Sequence, residues 1–494
     1  MSRDPAIVAG IIALTAAAGL LLQPALPIGV DLDIWSLNAL NLSIGGDSEV
    51  PPGYPGLTAL LIAPLGDHLR AATLVSNIAM ALVPAGAWLL ARLLHADRLT
   101  ASVAAVAALT SPALLATGQQ ITPDPLTALS LLAMAAAAVR FWRQPDGRGT
   151  LMLCAAAGVA YLIREHGLVA AVLALGLLAA APGRLHIRLL RVLALIAAVV
   201  LAPTLAGHHP APPTLTPWTA RFELVILDAL SEAPSWQQKP EGVAIENSTS
   251  GLVAHTIQGA PVAWGWVALA IAAAVRARGA AIGALLVGVL PATPALLIFS
   301  QPRHVLVVVP VAGAIAAAGL VGPLRRPGLL VGGVLGILGV AVGWAHTTDR
   351  IMRLERHSTH LKQLGEELCQ LAPPGTLWEG NMRAFTWCPL PHNEFEVPMT
   401  TAMWKTLYAG DPPSEHWERL PLQADLFPIY QLSWHSSSRP CAEAMPPDDL
   451  HYINISRRQI WLTPECEIRP PIGASGRSEP PEELRKPPLP GDPQ

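Results

Sequence analysis

Apolar residues run along this chain in blocks about as long as a helix needs to cross a bilayer, about 20 residues at 1.5 Å rise each. The blocks recur from the N-terminus to Trp344 and then stop. Short polar segments separate them, many carrying arginine or proline. The pattern predicts membrane-spanning helices near residues 5–23, 70–94, 101–118, 121–139, 150–163, 165–181, 188–206, 259–275, 280–299, 304–321 and 328–346. That makes about eleven spans. The stretch Leu151 to Ala181 is too long for one of them and carries Arg164, Glu165 and His166 in its middle. Three consecutive ionisable groups in hydrocarbon are costly, so two short helices are expected to meet there at an interface. Tyr54 to Leu65 is too short to span and reads as an interfacial or re-entrant helix.

Composition and charge turn this pattern into a topology. The chain has 494 residues, 52% of them hydrophobic and only 14% charged, where soluble domains carry about 25% charged residues. Mean hydropathy is +0.43. A net charge of −3 gives no electrostatic basis for a nucleic-acid partner. With the N-terminus inside, the inner segments carry Arg3; Arg92 and Arg98; Arg140, Arg143 and Arg148; Arg184, Arg188 and Arg191; Arg276 and Arg278; Arg325 and Arg326. Their acids are Asp4, Asp97 and Asp146. The opposite segments hold Asp31, Asp33, Asp47, Glu49 and Asp67, then Asp228, Glu232, Glu241 and Glu246. This is the positive-inside pattern at every loop. It needs an even number of crossings between Arg148 and Arg184, which agrees with the broken helix pair. An odd total places the C-terminal region outside. The first span is read as retained and not as a cleaved leader, despite Ala16, Ala17 and Ala18, because the charge alternation works with it in place.

The expected organisation is a transmembrane domain over residues 1–349 with two long outer loops, 24–69 and 207–258. Residues 350–468 read as a small extracytoplasmic soluble domain, and 469–494, rich in Pro, Glu and Arg, as a disordered tail. Helical spacing runs through Leu361, Leu364, Leu368 and Leu371, a Pro373-Pro374-Gly375 turn follows, and Thr376-Leu377-Trp378 suits a strand. Cys154 lies within a span and reads as packing. Cys369, Cys388, Cys441 and Cys466 all fall in the outer domain. Four cysteines in an oxidising compartment allow three disulfide connectivities, of which Cys369–Cys388 with Cys441–Cys466 is preferred. Zinc is the rival reading, but no C-x-x-C or H-x-x-x-H spacing supports a metal site.

Candidate chemistry gathers on the outer face. Asp31 and Asp33 follow the first span in Asp31-Leu32-Asp33-Ile34-Trp35. In Thr122-Pro123-Asp124-Pro125, Thr122 suits a helix N-cap, Pro123 the first turn, and Asp124 the positive end of the helix dipole. Arg164, Glu165 and His166 stand at the broken pair, and Gln301, Arg303 and His304 open the tenth span. Arg303 at a helix N-terminus opposes the dipole, so helix stability does not explain it. Singly, each has a plain reading: solvated loop acid, capping acid, or arginine reaching for headgroups. His208 and His209 read as loop residues, not metal ligands. Jointly, carboxylates could deprotonate a hydroxyl and arginines could stabilise a departing phosphate. That pairing suits transfer of a group from a lipid phosphate.

In this order and topology the motifs resemble the GT-C glycosyltransferases, in particular bacterial relatives of the dolichyl-phosphate-mannose-protein mannosyltransferases and of the lipid A aminoarabinose transferase (glycosyltransferase family 39-like). The resemblance runs over residues 5–346 and rests on Asp31 with Trp35 and Ala39, on Pro51-Pro52-Gly53-Tyr54-Pro55, and on Thr122-Pro123-Asp124-Pro125. It continues through Arg164-Glu165-His166-Gly167 and Gln301-Pro302-Arg303-His304 with Pro310. The chain departs from the family in three places: Leu32 stands where a second acid is usual, Glu165-His166 shifts an acid and removes a proline, and His304 replaces a tyrosine.

The resemblance implies a fold class: an all-α polytopic membrane domain of GT-C type with a small α/β extracytoplasmic C-terminal domain. It implies hexosyl or pentosyl transfer from a polyprenyl-phosphate-linked sugar to a glycan, lipid or protein acceptor, in contact with membrane lipids. Asp31 is then the general base with Asp33 as its substitute, and Asp124 orients the acceptor or a bound cation. Arg164, His166, Arg303 and His304 bind the donor phosphate. Some relatives use a divalent cation; nothing in this sequence requires one. The other readings are a transporter or lipid flippase, which intramembrane charges also suit, and a catalytically silent scaffold. Against transport, the ionisable groups sit at one face and no internal repeat is visible. Abundant Ala, Pro and Arg with little Lys suits a GC-rich bacterium, hence an inner membrane with the C-terminal domain in the periplasm.

Overall fold

The computed structural model describes residues 4–29, 32–43, 45, 48, 50–109, 112–164, 166–205, 261–291, 307–321, 344 and 347–367, with 370, 387 and seven short strands between 377 and 469. The chain divides into two compact units, Met1–Arg356 and His357–Gln494.

The first unit is helical. In chain order its described helices are α1 (Asp4–Leu21), α2 (Leu32–Ser43), α3 (Gly53–Leu65), α4 (His68–Leu93), α5 (Arg98–Leu109), α6 (Pro112–Gly118), α7 (Asp124–Arg143), α8 (Gly147–Ile163), α9 (His166–Ala180), α10 (Leu185–Leu205), α11 (Pro261–Ala277), α12 (Ala280–Gly288) and α13 (Val309–Ala316). α13 passes into a π-helical turn at Ala317–Val321.

Among the described residues, four helices are long and apolar enough to cross a membrane: Asp4–Leu21, His68–Leu93, Asp124–Arg143 and Leu185–Ala202. They fall into two kinds. α4 and α7 are central, with 67% of the apolar window of each buried, whereas α1 and α10 are peripheral at 6%. The peripheral pair exposes Leu14, Leu20 and Leu21 on α1 and Leu189, Leu190, Leu193, Val200 and Leu201 on α10. A continuous apolar surface of this kind would drive association in water. Hydrocarbon solvates it without penalty, and the chain is a membrane protein.

Between helices the contacts are made by small residues, as expected where lipid removes the hydrophobic drive and close backbone approach supplies the attraction. Ala87 and Ala91 of α4, Ala101, Ala104 and Ala108 of α5, Ala135 and Ala138 of α7, and Ala312 and Ala314 of α13 are buried in one core cluster. Gly288 is needed where α12, α7 and α13 meet: a Cβ there would lie 2.6 Å from Val311 and 3.1 Å from Ala135.

The structure differs from the sequence pattern in places. The expected span 101–118 is two helices, α5 and α6, flanking residues 110–111. The expected outer loop 24–69 holds two helices. α3 covers the short apolar stretch, and α2 forms beside the aspartates, where apolar Leu32, Trp35 and Ala39 already stand at helical spacing and are buried. α3 stops at Gly66, which adopts φ 66° and donates to the Ile62 carbonyl. Asp67 then caps α4, accepting from the amides of Leu69 at 2.7 Å and Arg70 at 3.2 Å. α12 ends at Gly288, short of the expected limit at 299. The span expected at 328–346 apart from Trp344, loop 207–258, the tail beyond 469 and all four outer cysteines, Cys369, Cys388, Cys441 and Cys466, lie outside the described residues.

In the second unit, β1 (Leu377–Glu379), β2 (Ala402–Thr406), β3 (Glu418–Arg419) and β4 (Ile429–Ser433) form a sheet in the order β1-β2-β4-β3. β1 runs parallel to β2, and the other pairs are antiparallel. β5 (Ile453–Ile455), β6 (Arg458–Leu462) and β7 (Ile468–Arg469) make an antiparallel sheet of three.

Candidate functional site

Two helix ends meet inside the first unit. α8 stops at Arg164, whose backbone turns extended at φ −164° and ψ 158°, and α7 begins at Asp124. Arg164 Nη1 donates to Asp124 Oδ1, and the two form an ion pair. Asp124 is 1% exposed and Arg164 8%. A lone carboxylate this deeply buried would be strongly destabilising, and the guanidinium supplies its countercharge. The N-terminus of α7 adds a favourable dipole, and the Thr122 hydroxyl accepts from the Asp124 amide at 3.4 Å. Asp124 Oδ2 has no hydrogen-bond partner among the described residues. Buried polar atoms are nearly always satisfied, so this oxygen marks a place for a donor from elsewhere.

The segment carrying Asp124 is held from two sides. Ile28 and Gln120 form an isolated parallel bridge, with the Ile121 amide donating to the Ile28 carbonyl at 2.8 Å. On the other side, Ser76 Oγ of α4 donates to the Thr122 carbonyl at 3.0 Å. Ser76 Oγ also lies 3.0 Å from Tyr54 Oη, and Tyr54 donates to the Ala72 carbonyl at 2.8 Å. Trp35 of α2 packs edge-on against the Tyr54 ring, with centroids 5.8 Å apart at 84°. Gly53 lets α3 reach the end of α8: a Cβ there would come 2.7 Å from the Leu162 carbonyl oxygen. The Gly167 amide closes the break by donating to the Arg164 carbonyl at 2.9 Å. The Pro51–Pro55 segment, the first turns of α4, residues 119–124 and the α8–α9 break therefore converge on one buried ion pair.

Of the residues expected from sequence, Asp124 and Arg164 are brought together. Asp33 lies in the first turn of α2 and His166 starts α9, but the side chains of both are outside the described residues. Asp31, Glu165, Arg303 and His304 are outside them altogether. The chain on either side of Asp31 is placed: a Cβ on Gly29 would stand 3.1 Å from the Ile121 carbonyl oxygen and 3.0 Å from Leu32 Cβ. Among the described residues no three His, Cys, Asp or Glu side chains come together as metal ligands. Asp124 is a poor cation site, since a cation there would face the Arg164 guanidinium. Sequence reasoning placed Tyr54 only within the Pro51–Pro55 motif and passed over Ser76, Asn77 and Gln119. Gln119 Nε2 donates to Asn77 Oδ1 at 3.0 Å, and Gln119 Oε1 is buried with no partner among the described residues. The available signal is neutral: Ser76-Asn77 inside an apolar helix and Gln119-Gln120 at the end of another, polar groups that carry no charge.

The arrangement can hold an anion. A guanidinium carries five fixed N–H donors, and its attraction for phosphate grows where water is excluded. The sequence profile of the dolichyl-phosphate-mannose-protein mannosyltransferase family matches residues 49–206, the stretch that holds Tyr54, Ser76, Asp124 and Arg164. No curated protein matches the sequence. Among solved structures, the chain is similar to ArnT from Cupriavidus metallidurans in the apo state, with a TM-score of 0.57 and 13% identity over 89% of this chain and 99% of that one. It is similar also to ArnT from the same organism bound to undecaprenyl phosphate, with a TM-score of 0.54 and 13% identity over 90% and 100% of the two chains. At such identity the likeness is one of fold.

Proposed function

We propose that this chain, which has the GT-C fold, is a membrane glycosyltransferase that moves a sugar from a polyprenyl-phosphate-linked donor to an acceptor at the extracytoplasmic face. The observation that carries this reading is the buried Asp124–Arg164 pair at the broken α8–α9 junction. A nearly buried arginine is suited to a phosphate oxygen, and a carboxylate with an unmatched oxygen is suited to an acceptor hydroxyl. The solved relative with undecaprenyl phosphate bound supports a lipid phosphate as the donor's carrier.

In this reading Asp31 takes the proton from the acceptor hydroxyl, with Asp33 as its substitute. The acceptor oxygen then bonds to the anomeric carbon of the sugar. The bond from that carbon to the phosphate oxygen breaks, and polyprenyl phosphate leaves with the electron pair. Asp124 orients the acceptor. Arg164 and Arg303, aided by His166 and His304, hold the phosphate and stabilise the charge that grows on it. The N-terminus is cytoplasmic and the membrane is the inner membrane of a bacterium. The C-terminal unit is periplasmic, and its cysteines pair as Cys369–Cys388 and Cys441–Cys466.

The test is transfer of radiolabelled sugar from a panel of polyprenyl-phosphate sugars by purified protein, with release of polyprenyl phosphate followed in parallel. Wild type is expected to turn over and Asp31→Asn to lose turnover while folding normally. Full turnover by Asp31→Asn would remove Asp31 as the base. No release of polyprenyl phosphate with any donor or acceptor extract would sink the transferase reading and favour transport.

A further inference from the structure

At the end of α7 away from Asp124 the fold concentrates guanidinium groups that the proposed reaction does not use. α7 has 20 residues, so its ends stand about 30 Å apart, the thickness of a bilayer's hydrocarbon core. Asp124 and Arg143 therefore lie at opposite headgroup levels.

Three interhelical connections meet around Phe141 and Trp142. Arg191 lies over the Phe141 ring at 5.5 Å and donates to the carbonyls of Pro145 and Pro182, bolting the α7–α8 connection to the α9–α10 connection. Arg188 Nε donates to the Gly183 carbonyl at 3.0 Å. The α11–α12 turn, in which Arg278 and Gly279 both adopt φ 54°, presses on Trp142: a Cβ on Gly279 would come 3.3 Å from the indole nitrogen. Arg143, Arg148, Arg184, Arg276 and Arg278 are thereby brought to one end, all exposed, and among the described residues none is in an ion pair. Asp146 is the sole acid in these three connections and is already engaged by Arg140 at 3.0 Å and the Gly149 amide at 2.6 Å. Arg143 and Arg276, in the last turns of α7 and α11, suit the helix dipole, whereas Arg148 in the first turn of α8 and Arg184 just before α10 oppose it, so helix stability accounts for only part of the excess. Trp142 is 46% exposed beside them, an amphipathic ring at the depth where such rings favour the interface.

We infer that this end is a seat for anionic phospholipid headgroups of the leaflet opposite the candidate site, with Arg143, Arg276 and Arg278 around Trp142 taking the phosphodiester. Guanidinium forks match phosphate oxygens, and the uncompensated charge supplies the attraction. The seat stands on geometry and charge alone and does not depend on the proposed reaction.

Thermal unfolding of the purified full-length protein in phosphatidylcholine bilayer discs, with and without phosphatidylglycerol, tests it. Phosphatidylglycerol is expected to raise the melting temperature by a few degrees, an increment that shrinks with added salt. In the variant Arg143→Gln/Arg276→Gln/Arg278→Gln the increment is expected to vanish, and in Arg70→Gln, an exposed arginine at the other end, to persist. Because each protein is compared with itself in two lipids, a general loss of stability in the variant cancels. The inference is overturned if phosphatidylglycerol acts no differently from phosphatidylcholine, if the triple variant keeps the increment, or if Arg70→Gln loses it equally.

Discussion

Each end of α7 joins an arginine to an aspartate, in opposite surroundings. At the site end, Asp124 and Arg164 have side chains 2% and 10% exposed and come from positions forty residues apart. At the far end, Arg140 and Asp146 are 29% and 46% exposed and six residues apart. Water can replace either partner of the outer pair, so little rests on it. Among the described residues no other cation pairs with Asp124, and the pair fixes how α7 and the α8–α9 break sit together. Two contacts of the same chemistry thus serve different ends: one closes a local turn, and the other assembles a site. The arginines around Trp142, in no ion pair among the described residues, show a third use, charge left open toward the lipid.

The sharpest way to break this comparison is to remove one buried partner. Arg164→Ala leaves the Asp124 carboxylate in the bundle without countercharge, and a loss of about 3–5 kcal/mol is expected, together with loss of sugar transfer. Arg164→Met with Asp124→Leu replaces the pair by apolar side chains and is expected to melt well above the single variant while remaining inactive. A double variant as unstable as Arg164→Ala would show that charge burial is not what the pair balances.

Ser76→Ala sharpens it further, because it removes the hydroxyl that holds the Thr122 carbonyl and touches neither charge. A loss of about 1–3 kcal/mol is expected, with turnover falling more than donor binding if Ser76 acts by positioning Asp124. Equal changes in both would make its role merely structural.

The smallest effect is expected at the α4–α5 connection. Asp97 caps α5, accepting from the Thr100 amide at 2.8 Å and the Thr100 hydroxyl at 2.9 Å. The Thr100 amide, foremost, holds its carboxyl below the ordinary carboxylate value. A folded-state value below the unfolded one gives stability that is present above about pH 4 and lost as pH falls through the folded value. Melting profiles of Asp97→Asn should therefore lie below wild type at neutral pH and converge with it on acidification. Parallel curves at every pH would remove the cap's role.

Part of this was legible along the chain. The apolar runs gave the membrane character, the triplet Arg164-Glu165-His166 marked a break that the structure has at Arg164, and the short run Tyr54 to Leu65 is α3. Asp124 and Arg164 each stood out as an ionisable group in apolar surroundings. What was illegible was neutral or relational. α2 hides beside two aspartates in a segment that reads as loop, although Leu32, Trp35 and Ala39 carry the helical spacing. Ser76 and Tyr54 gave no electrostatic signal, and their importance lies in which carbonyl they meet.

Hydrophobic periodicity reports the environment a residue needs, and here that sufficed to determine a helical membrane protein, the approximate spans and the groups too polar to lie idle in it. It carries no information about which group supplies that environment. That Asp124 is answered by Arg164, that Ser76 reaches Thr122, and that three connections gather their arginines around Trp142 were decided only when the helices packed. The reason is geometric: side chains forty residues apart meet only where small residues let two particular helices approach, and that choice belongs to the whole bundle and not to any stretch of it.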